Sequence, residues 1–335
     1  MANLRHLFFL FLFVTLALDA RCQTDDKKVM RQQISLLCDN DFFLFNGEDG
    51  YYTNGLFLRY DRVSAKPSTH LVKKIFSYEL GQMIYNAHSS HILPNANNGI
   101  NLPGGIEQID RPIAGYLYGK FSMTLFYNEP QMLSLGVSVG TTGQNSLGQD
   151  VQQFWHNVIG VKGYWNWVWA YQVKNEVSMN VHATYAKSLI DREKNSRFQI
   201  TPVSQATLGT AFINLSQSVL VQFGKLRSMS SSSYWLSRIG TSNILEHGGI
   251  EWFLYYKPEV GYQLYNATIQ GGLFNTDKGP ILSDVSPFVF SHEIGVRFSS
   301  LRYCVGYSVS FRSKEAKSQF SNESFASIFL SYRFR

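Results

Sequence analysis

Residues 302–312 read RYCVGYSVSFR, and the order of their side chains decides the architecture. Tyr303, Val305, Tyr307, Val309 and Phe311 alternate with Cys304, Gly306, Ser308, Ser310 and Arg312. A period of two is the signature of a strand with one apolar and one polar face. The pattern recurs along the chain. Leu133, Leu135, Val137 and Val139 alternate with Ser134, Gly136, Ser138 and Gly140, and Ala326, Ile328, Leu330, Tyr332 and Phe334 alternate with Ser327, Ser331, Arg333 and Arg335.

Composition narrows the class. The chain has 335 residues, 16% of them charged and 15% aromatic. Soluble domains carry about 25% charged residues. The formal charge of +6 is spread out, and no block of Lys or Arg reads as a nucleic-acid-binding arm. Arg5 and His6 precede LFFLFLFVTLAL (Leu7–Leu18), followed by DARCQ. A short basic start, a short apolar run and a small-residue exit predict a secretory signal peptide over residues 1–22, leaving 23–335 as one domain. Downstream, no apolar run approaches the roughly 20 residues of a membrane-spanning helix. Cys38 and Cys304 allow a disulfide if the first and penultimate strands come close; two small buried residues are the plainer reading.

Apolar-in strands make a soluble sandwich, whereas apolar-out strands make a membrane barrel. The signal peptide, the flanking aromatics and the strand lengths favour the barrel. The alternation predicts twelve strands: 34–45, 54–64, 71–86, 114–127, 131–142, 171–186, 198–209, 213–225, 250–265, 288–299, 302–312 and 325–335. The expected class is all-β, a transmembrane antiparallel barrel of the Gram-negative outer membrane. An even count returns both termini to the periplasmic side. Connections 46–53, 87–113 and 143–170 then lie outside, and 65–70 and 128–131 inside. Segment 226–249 is long for an inner connection, and Arg335 follows the terminal aromatic Phe334. The inward set includes Glu79, Lys120, Lys257, Glu259, Arg297 and Arg333, a mixture that knits into a plug more readily than it lines a pore. One helical patch, SLGQDVQQFWHNVIG (Ser146–Gly160), sits in the third outer loop, with Gln149, Gln152 and His156 on one side of it.

This topology gathers Asn40, Asp41, Thr53 and His156 at one membrane interface. A carboxylate with amide and hydroxyl oxygens suits a hard cation such as Ca²⁺. A histidine can take a proton from water, and a cation beside an ester carbonyl stabilises the oxyanion. The set suits an esterase acting on a lipid. Taken singly, each residue has a plainer reading: turn chemistry for Asn40-Asp41, a strand start for Thr53, loop packing for His156. In a regular strand, moreover, Asn40 and Asp41 point to opposite faces, and both reach one site only if the strand ends or bulges there.

Four motifs in order, NDFF…DGYYTNGLFLRYD from Asn40, DRPIAGYLY (Asp110–Tyr118), LGQDVQQFWHNVIG (Leu147–Gly160) and QVKNE (Gln172–Glu176), resemble the outer-membrane lipid A 3′-O-deacylases. YNATIQGGLF (Tyr265–Phe274) is similar too. The resemblance implies a twelve-stranded barrel that removes an ester-linked acyl chain from lipid A of lipopolysaccharide in a Ca²⁺-dependent reaction. It maps the metal-binding pair onto Asn40 and Asp41, the supporting hydroxyl onto Thr53 and the general base onto His156. Arg111 and Gln152 are the expected substrate contacts, with Lys120 a further candidate for an anionic group. Two positions depart from the family pattern. Lys162 stands where an acidic calcium-site residue is usual, and YNAHSSHILP offers His88 and His91 but no Lys or Arg for a phosphate. Two other readings are a small-solute channel and a catalytically inactive structural member of the family.

Overall fold

The computed structural model describes residues 29–44, 50–64, 70–88, 109–159, 164–190, 197–240 and 249–335. The segment read as a signal peptide, His91 and Lys162 lie outside the described residues.

Twelve antiparallel strands close on themselves: β1 (Gln32–Asn40), β2 (Tyr52–Val63), β3 (Leu71–Tyr85), β4 (Ala114–Tyr127), β5 (Gln131–Thr142), β6 (Val177–Lys187), β7 (Phe198–Gly209), β8 (Phe212–Lys225), β9 (Glu251–Asn266), β10 (Phe288–Ser299), β11 (Tyr303–Arg312) and β12 (Glu323–Phe334). Each pairs with its sequence neighbours. β1 closes on β12 from Gln32 opposite Phe334 to Asn40 opposite Ala326. Closure leaves no open strand edge.

The alternation sorts side chains by face. Leu58, Leu80, Val139, Val181, Leu254 and Ile294 are exposed on the outside of the wall, while Gln33, Asp61, Ser77, Gln222 and Arg333 are buried inside it. An apolar exterior around a polar interior inverts a soluble protein and fits a barrel in lipid. Among the described residues no helix is long and apolar enough to cross a membrane.

The lumen is filled from the inner side. Arg59 pairs with Asp61 at 2.7 Å and donates to Ser77 at 2.9 Å, and Tyr118 donates to Glu79 at 2.7 Å. Residues 226–240 of the connection after β8, the long inner segment of the sequence, fold into the barrel as a plug. Lys73 Nζ donates to the carbonyls of Ser230 and Ser237, Glu251 accepts the Ser233 N–H at 2.8 Å, and Arg297 donates to the Ser233 carbonyl at 3.0 Å. Tyr234 packs edge-on against Tyr255. Its length, odd for a periplasmic turn, is what reaching into the lumen requires. The outer half of the lumen keeps a cavity of about 370 Å³ lined by Tyr116, Tyr118, Asn180, His182, Arg312 and Glu315 among others.

Two strands differ from expectation. β1 stops at Asn40 instead of continuing to 45, because Asn40 Oδ1 accepts the Phe42 N–H at 2.8 Å and turns the chain into a 3-10 turn, Asp41–Leu44. β6 starts at Val177 instead of 171, because Tyr164–Tyr171 form a 3-10 helix that buries Val168 and Trp169. Cys38 and Cys304 are both free: they face Ile328 and Ser331 on β12, three positions apart and on opposite flanks of that strand.

Candidate active site

Register places Asn40 on the outward face. On β2, Leu56 and Leu58 share a face with Asn54, and on β1, Ile34 and Leu36 share one with Asn40. Asn40 is paired with Asn54. At the outer end of this lipid-facing surface, leucine therefore gives way to two amides. Asn54 is buried, and its Oδ1 has no hydrogen-bond partner among the described residues.

A bulge sits beside them. Tyr52 pairs with Tyr85 and Asn54 with Ile84, which leaves Thr53 as an extra residue in β2. Tyr52 points inward, where its hydroxyl donates to Asp39 at 2.9 Å. Thr53 is buried at the seam. Its hydroxyl lies 3.5 Å from the Ile84 carbonyl and accepts from Asn86 Nδ2 at 3.3 Å. The first of these is at the outer limit of a hydrogen bond, so the proton is weakly held.

Asp41 follows Asn40 in the 3-10 turn, where it is buried and its Oδ2 accepts the Gly50 N–H at 2.8 Å. The end of β1 thus removes the difficulty of neighbouring residues with opposed faces: the backbone turns between them. With the Thr53 bulge opposite, Asn40, Asp41, Thr53 and Asn54 come from one corner of the wall.

His156 arrives on α1 (Gly148–Ile159), which lies on the outer surface of the barrel. Gly115, in register with the exposed Phe121 on β4, takes the N-terminus of α1 against its backbone. A Cβ on Gly115 would come within 2.0 Å of Ser146 Oγ and 3.2 Å of Gly148 Cα. Gln82 Nε2 donates to the Ser146 carbonyl at 2.7 Å. Val151 then packs on a buried cluster containing Ile84, Ile109, Ile113 and Trp169. Ile84 is also the residue whose carbonyl faces the Thr53 hydroxyl, so the helix and Thr53 meet the same point of β3. His156 lies one turn beyond Gln152 on the same side of α1 and is half-buried. Burial pushes its imidazole below the ordinary value of 6.5.

Gln152, expected at the substrate, is buried. Its Oε1 accepts the Trp169 indole N–H at 2.8 Å and fastens α1 to the loop behind it. Arg111 is corrected by its surroundings. It is fully buried, 3.9 Å over the Tyr85 ring, donating to Thr268 at 3.2 Å and paired with Glu315 at 3.4 Å. Lys120 faces the lumen opposite Glu79. The wall stands between both cations and the outward face, so neither is presented to a ligand there.

Sequence reading missed the struts. The Tyr51 hydroxyl donates to Asp110 and accepts from the backbone of Phe320 and Ser321, while Asp110 also accepts the His88 N–H at 3.2 Å. Three outer connections are tied at this hub. Burial first, and the Asp110 carboxylate second, push the Tyr51 hydroxyl above its ordinary value, which keeps it a donor. Asn86 is fully buried, and its N–H donates to the Tyr51 carbonyl at 2.9 Å. Glu176 of the QVKNE motif accepts the N–H groups of Leu273, Phe274 and Asn275, which joins the third and fifth outer loops. No periodicity marks such contacts; Asn54 alone leaves a local signal, as a polar residue on the Leu56–Leu58 face of β2.

The model of the family described as "Outer membrane protein LpxR" matches residues 7–334. The chain belongs to the LpxR family. Among solved structures it is similar to LpxR from Salmonella typhimurium, with 20% identity and a TM-score of 0.68 over 90% of this chain and 100% of that one. At that identity the likeness concerns the fold; membership of the family places this barrel in a Gram-negative outer membrane. The beta domain of the Bordetella autotransporter Brka (8% identity, TM-score 0.46, 92% of this chain and 99% of that one) and the NalP translocator domain of Neisseria meningitidis (6%, 0.40, 99% and 97%) are more distant barrels. A comparison with curated proteins gives no match.

Proposed function

We propose that this chain is an outer-membrane esterase that hydrolyses an ester-linked acyl chain of lipid A, of the 3′-O-acyloxyacyl type. One observation carries the reading: a polar corner, half-buried Asn40 with buried Asp41, Thr53 and Asn54, sits on the lipid side of the wall, with the His156 helix docked on the same side. Polar groups buried against hydrocarbon are costly without partners, and the Asn54 Oδ1 has none among the described residues. A lipid reaching the site from the outer leaflet needs no passage through the lumen.

In this reading neutral His156 takes a proton from a water molecule whose oxygen attacks the ester carbonyl carbon. As the carbon–alkoxy bond breaks, the imidazolium gives that proton to the departing sugar oxygen, which leaves as a hydroxyl while the acyl chain leaves as a free fatty acid. Thr53 Oγ1 is free enough of the Ile84 carbonyl to turn its proton to the developing oxyanion.

The donor set fits a hard cation in kind. Asp41 supplies one carboxylate and Asn40 one amide oxygen, and the unpartnered Asn54 Oδ1 lies opposite Asn40. Among the described residues no group of three or more His, Cys, Asp or Glu is placed to hold a metal, and Asp41 is the charged member of this set. Bound there, Ca²⁺ would supply positive charge for the ester carbonyl oxygen. The test is lipid A mass spectrometry from Gram-negative cells carrying the wild type or His156→Ala. Loss of one acyl chain only with the wild type is expected; identical profiles with both proteins in the membrane would refute the reading.

A further inference from the structure

Helix α1 carries an apolar stripe that the site does not use. Leu147, immediately before the helix, Phe154 and Val158 follow one another at the seven- and four-residue intervals that keep one face of a 3.6-residue turn. They are 51%, 62% and 60% exposed. Val151 lies on the same line but is half-buried in the cluster against Ile84. The stripe therefore runs along the edge where the helix leaves the wall, and His156 occupies the other edge. Leu147 takes the left-handed backbone conformation (φ 57°), which leucine rarely adopts, and its N–H is held by the Gln144 carbonyl at 3.1 Å.

The position of α1 identifies what meets this stripe. The helix begins six residues after β5 ends at Thr142, and its N-terminus rests on Gly115 at the outer end of β4. It lies on the outward side of the wall, in line with the exposed Leu80, Phe121 and Val139 of the strands beneath it. The apolar band of the barrel thus continues onto the helix. The other exposed residues of α1 are Asp150, Gln153 and Asn157, with no Lys or Arg. Free interfacial helices add basic residues for attraction to lipid headgroups; one fixed to a barrel needs none.

We propose that α1 is an interfacial helix whose Leu147–Phe154–Val158 stripe is inserted among the acyl chains of the outer leaflet. The insertion fixes the depth of α1, and of the imidazole on its other edge, relative to the lipid headgroups. The membrane contact follows from the barrel's location and stands whether or not the chain is an esterase.

The test places a bimane label on Val158→Cys or, as a control on the polar side, Gln153→Cys, in full-length protein carrying Cys22→Ser, Cys38→Ser and Cys304→Ser. Each is reconstituted in phosphatidylcholine nanodiscs with acyl chains brominated near the headgroup. Heat-modifiable gel migration confirms the folded barrel, and Phe154→Cys serves if Val158→Cys does not assemble. Quenching by the brominated chains at least twofold stronger at 158 than at 153, with aqueous iodide showing the reverse, supports insertion. Iodide quenching at 158 equal to that at 153 overturns it. So does shielding from both quenchers, which would mean that a second copy or the chain's own residues cover the stripe.

Discussion

Asn40 and Asn54 face each other across the β1–β2 pair on the outside of the barrel wall, where the residues two positions below Asn54 and four below Asn40 are leucines. An amide pair there serves neither the lumen nor the lipid. Its neighbours explain it: Asp41 in the turn after Asn40, and Thr53 in the bulge before Asn54. The wall is regular up to this corner and irregular at it, as strained or bulged elements beside active sites commonly are.

His156→Ala should lower kcat for lipid A deacylation by about 10²–10⁴-fold, the usual worth of a positioned general base. The pH dependence follows from burial. The imidazole is depressed below 6.5 in the folded chain, so the active neutral form persists into mildly acidic solution. The acid limb of kcat/KM should therefore have its midpoint below 6.5. Stability has the matching sign. Above 6.5 the folded and unfolded forms are both neutral, and as pH falls the unfolded chain protonates first, so this residue weakens the fold on acidification. A midpoint above 6.5 in the pH–rate profile would contradict the assignment.

Asn54→Leu separates function from stability. The buried amide oxygen has no partner among the described residues, and leaving such a group unsatisfied costs about 1–3 kcal/mol. Replacing it with an apolar side chain should keep or raise the denaturation temperature of the barrel while lowering deacylation at least about tenfold, the trade-off seen when an active site is relieved of strain. Heat-modifiable migration and lipid A mass spectrometry on one preparation read both quantities. A fall in stability with unchanged activity would make Asn54 a packing residue.

Among the described residues of the corner Asp41 provides the carboxylate, and Asp41→Asn should abolish cation binding while keeping the Gly50 N–H acceptor. The readout is direct. A ligand that binds the folded state stabilises it by about 2.7 kcal/mol at one hundred times its Kd. The wild type should gain thermal stability with added Ca²⁺ and lose it with chelator, and Asp41→Asn should be indifferent to both. A Ca²⁺-dependent shift that survives in the variant would place the cation elsewhere.

Much of this architecture was legible in the alternation. β4, β5, β7 and β10 begin and end where the period-two pattern does, because one face of each meets lipid and the other the polar lumen. The errors fall where a side chain competes with the ladder, as Asn40 does by capping Phe42. The site was legible as residue types but not as partners. Arg111 has the chemistry of an anion contact, and only the fold shows that Tyr85, Thr268 and Glu315 already surround it. The Tyr51–Asp110 contact spans 59 positions, and no local pattern encodes it. The inner plug appeared in the sequence only as a connection too long for its place.

That plug yields the final prediction. Arg238 is buried, donating to the Ser299 carbonyl and hydroxyl at 2.9 and 3.0 Å and to the Gly249 carbonyl, with Glu251 at 4.0 Å. Burial, with a second arginine (Arg333) nearby, pulls its guanidinium down to about 9, and the Glu251 carboxylate works in the opposite direction. Arg238→Ala leaves Glu251, itself fully buried, without its cation and removes one tie of the plug to β10, the Arg297–Ser233 contact being another. Breaking a buried pair in this way costs about 3–5 kcal/mol. The variant should unfold at lower temperature and show intermittent conductance in planar bilayers, whereas the wild type stays quiet. Steady channels from the wild type would mean that the plug does not close the lumen and would return a transport role to consideration; a quiet, destabilised variant would mean that the side chains of the lower lumen seal the barrel without it.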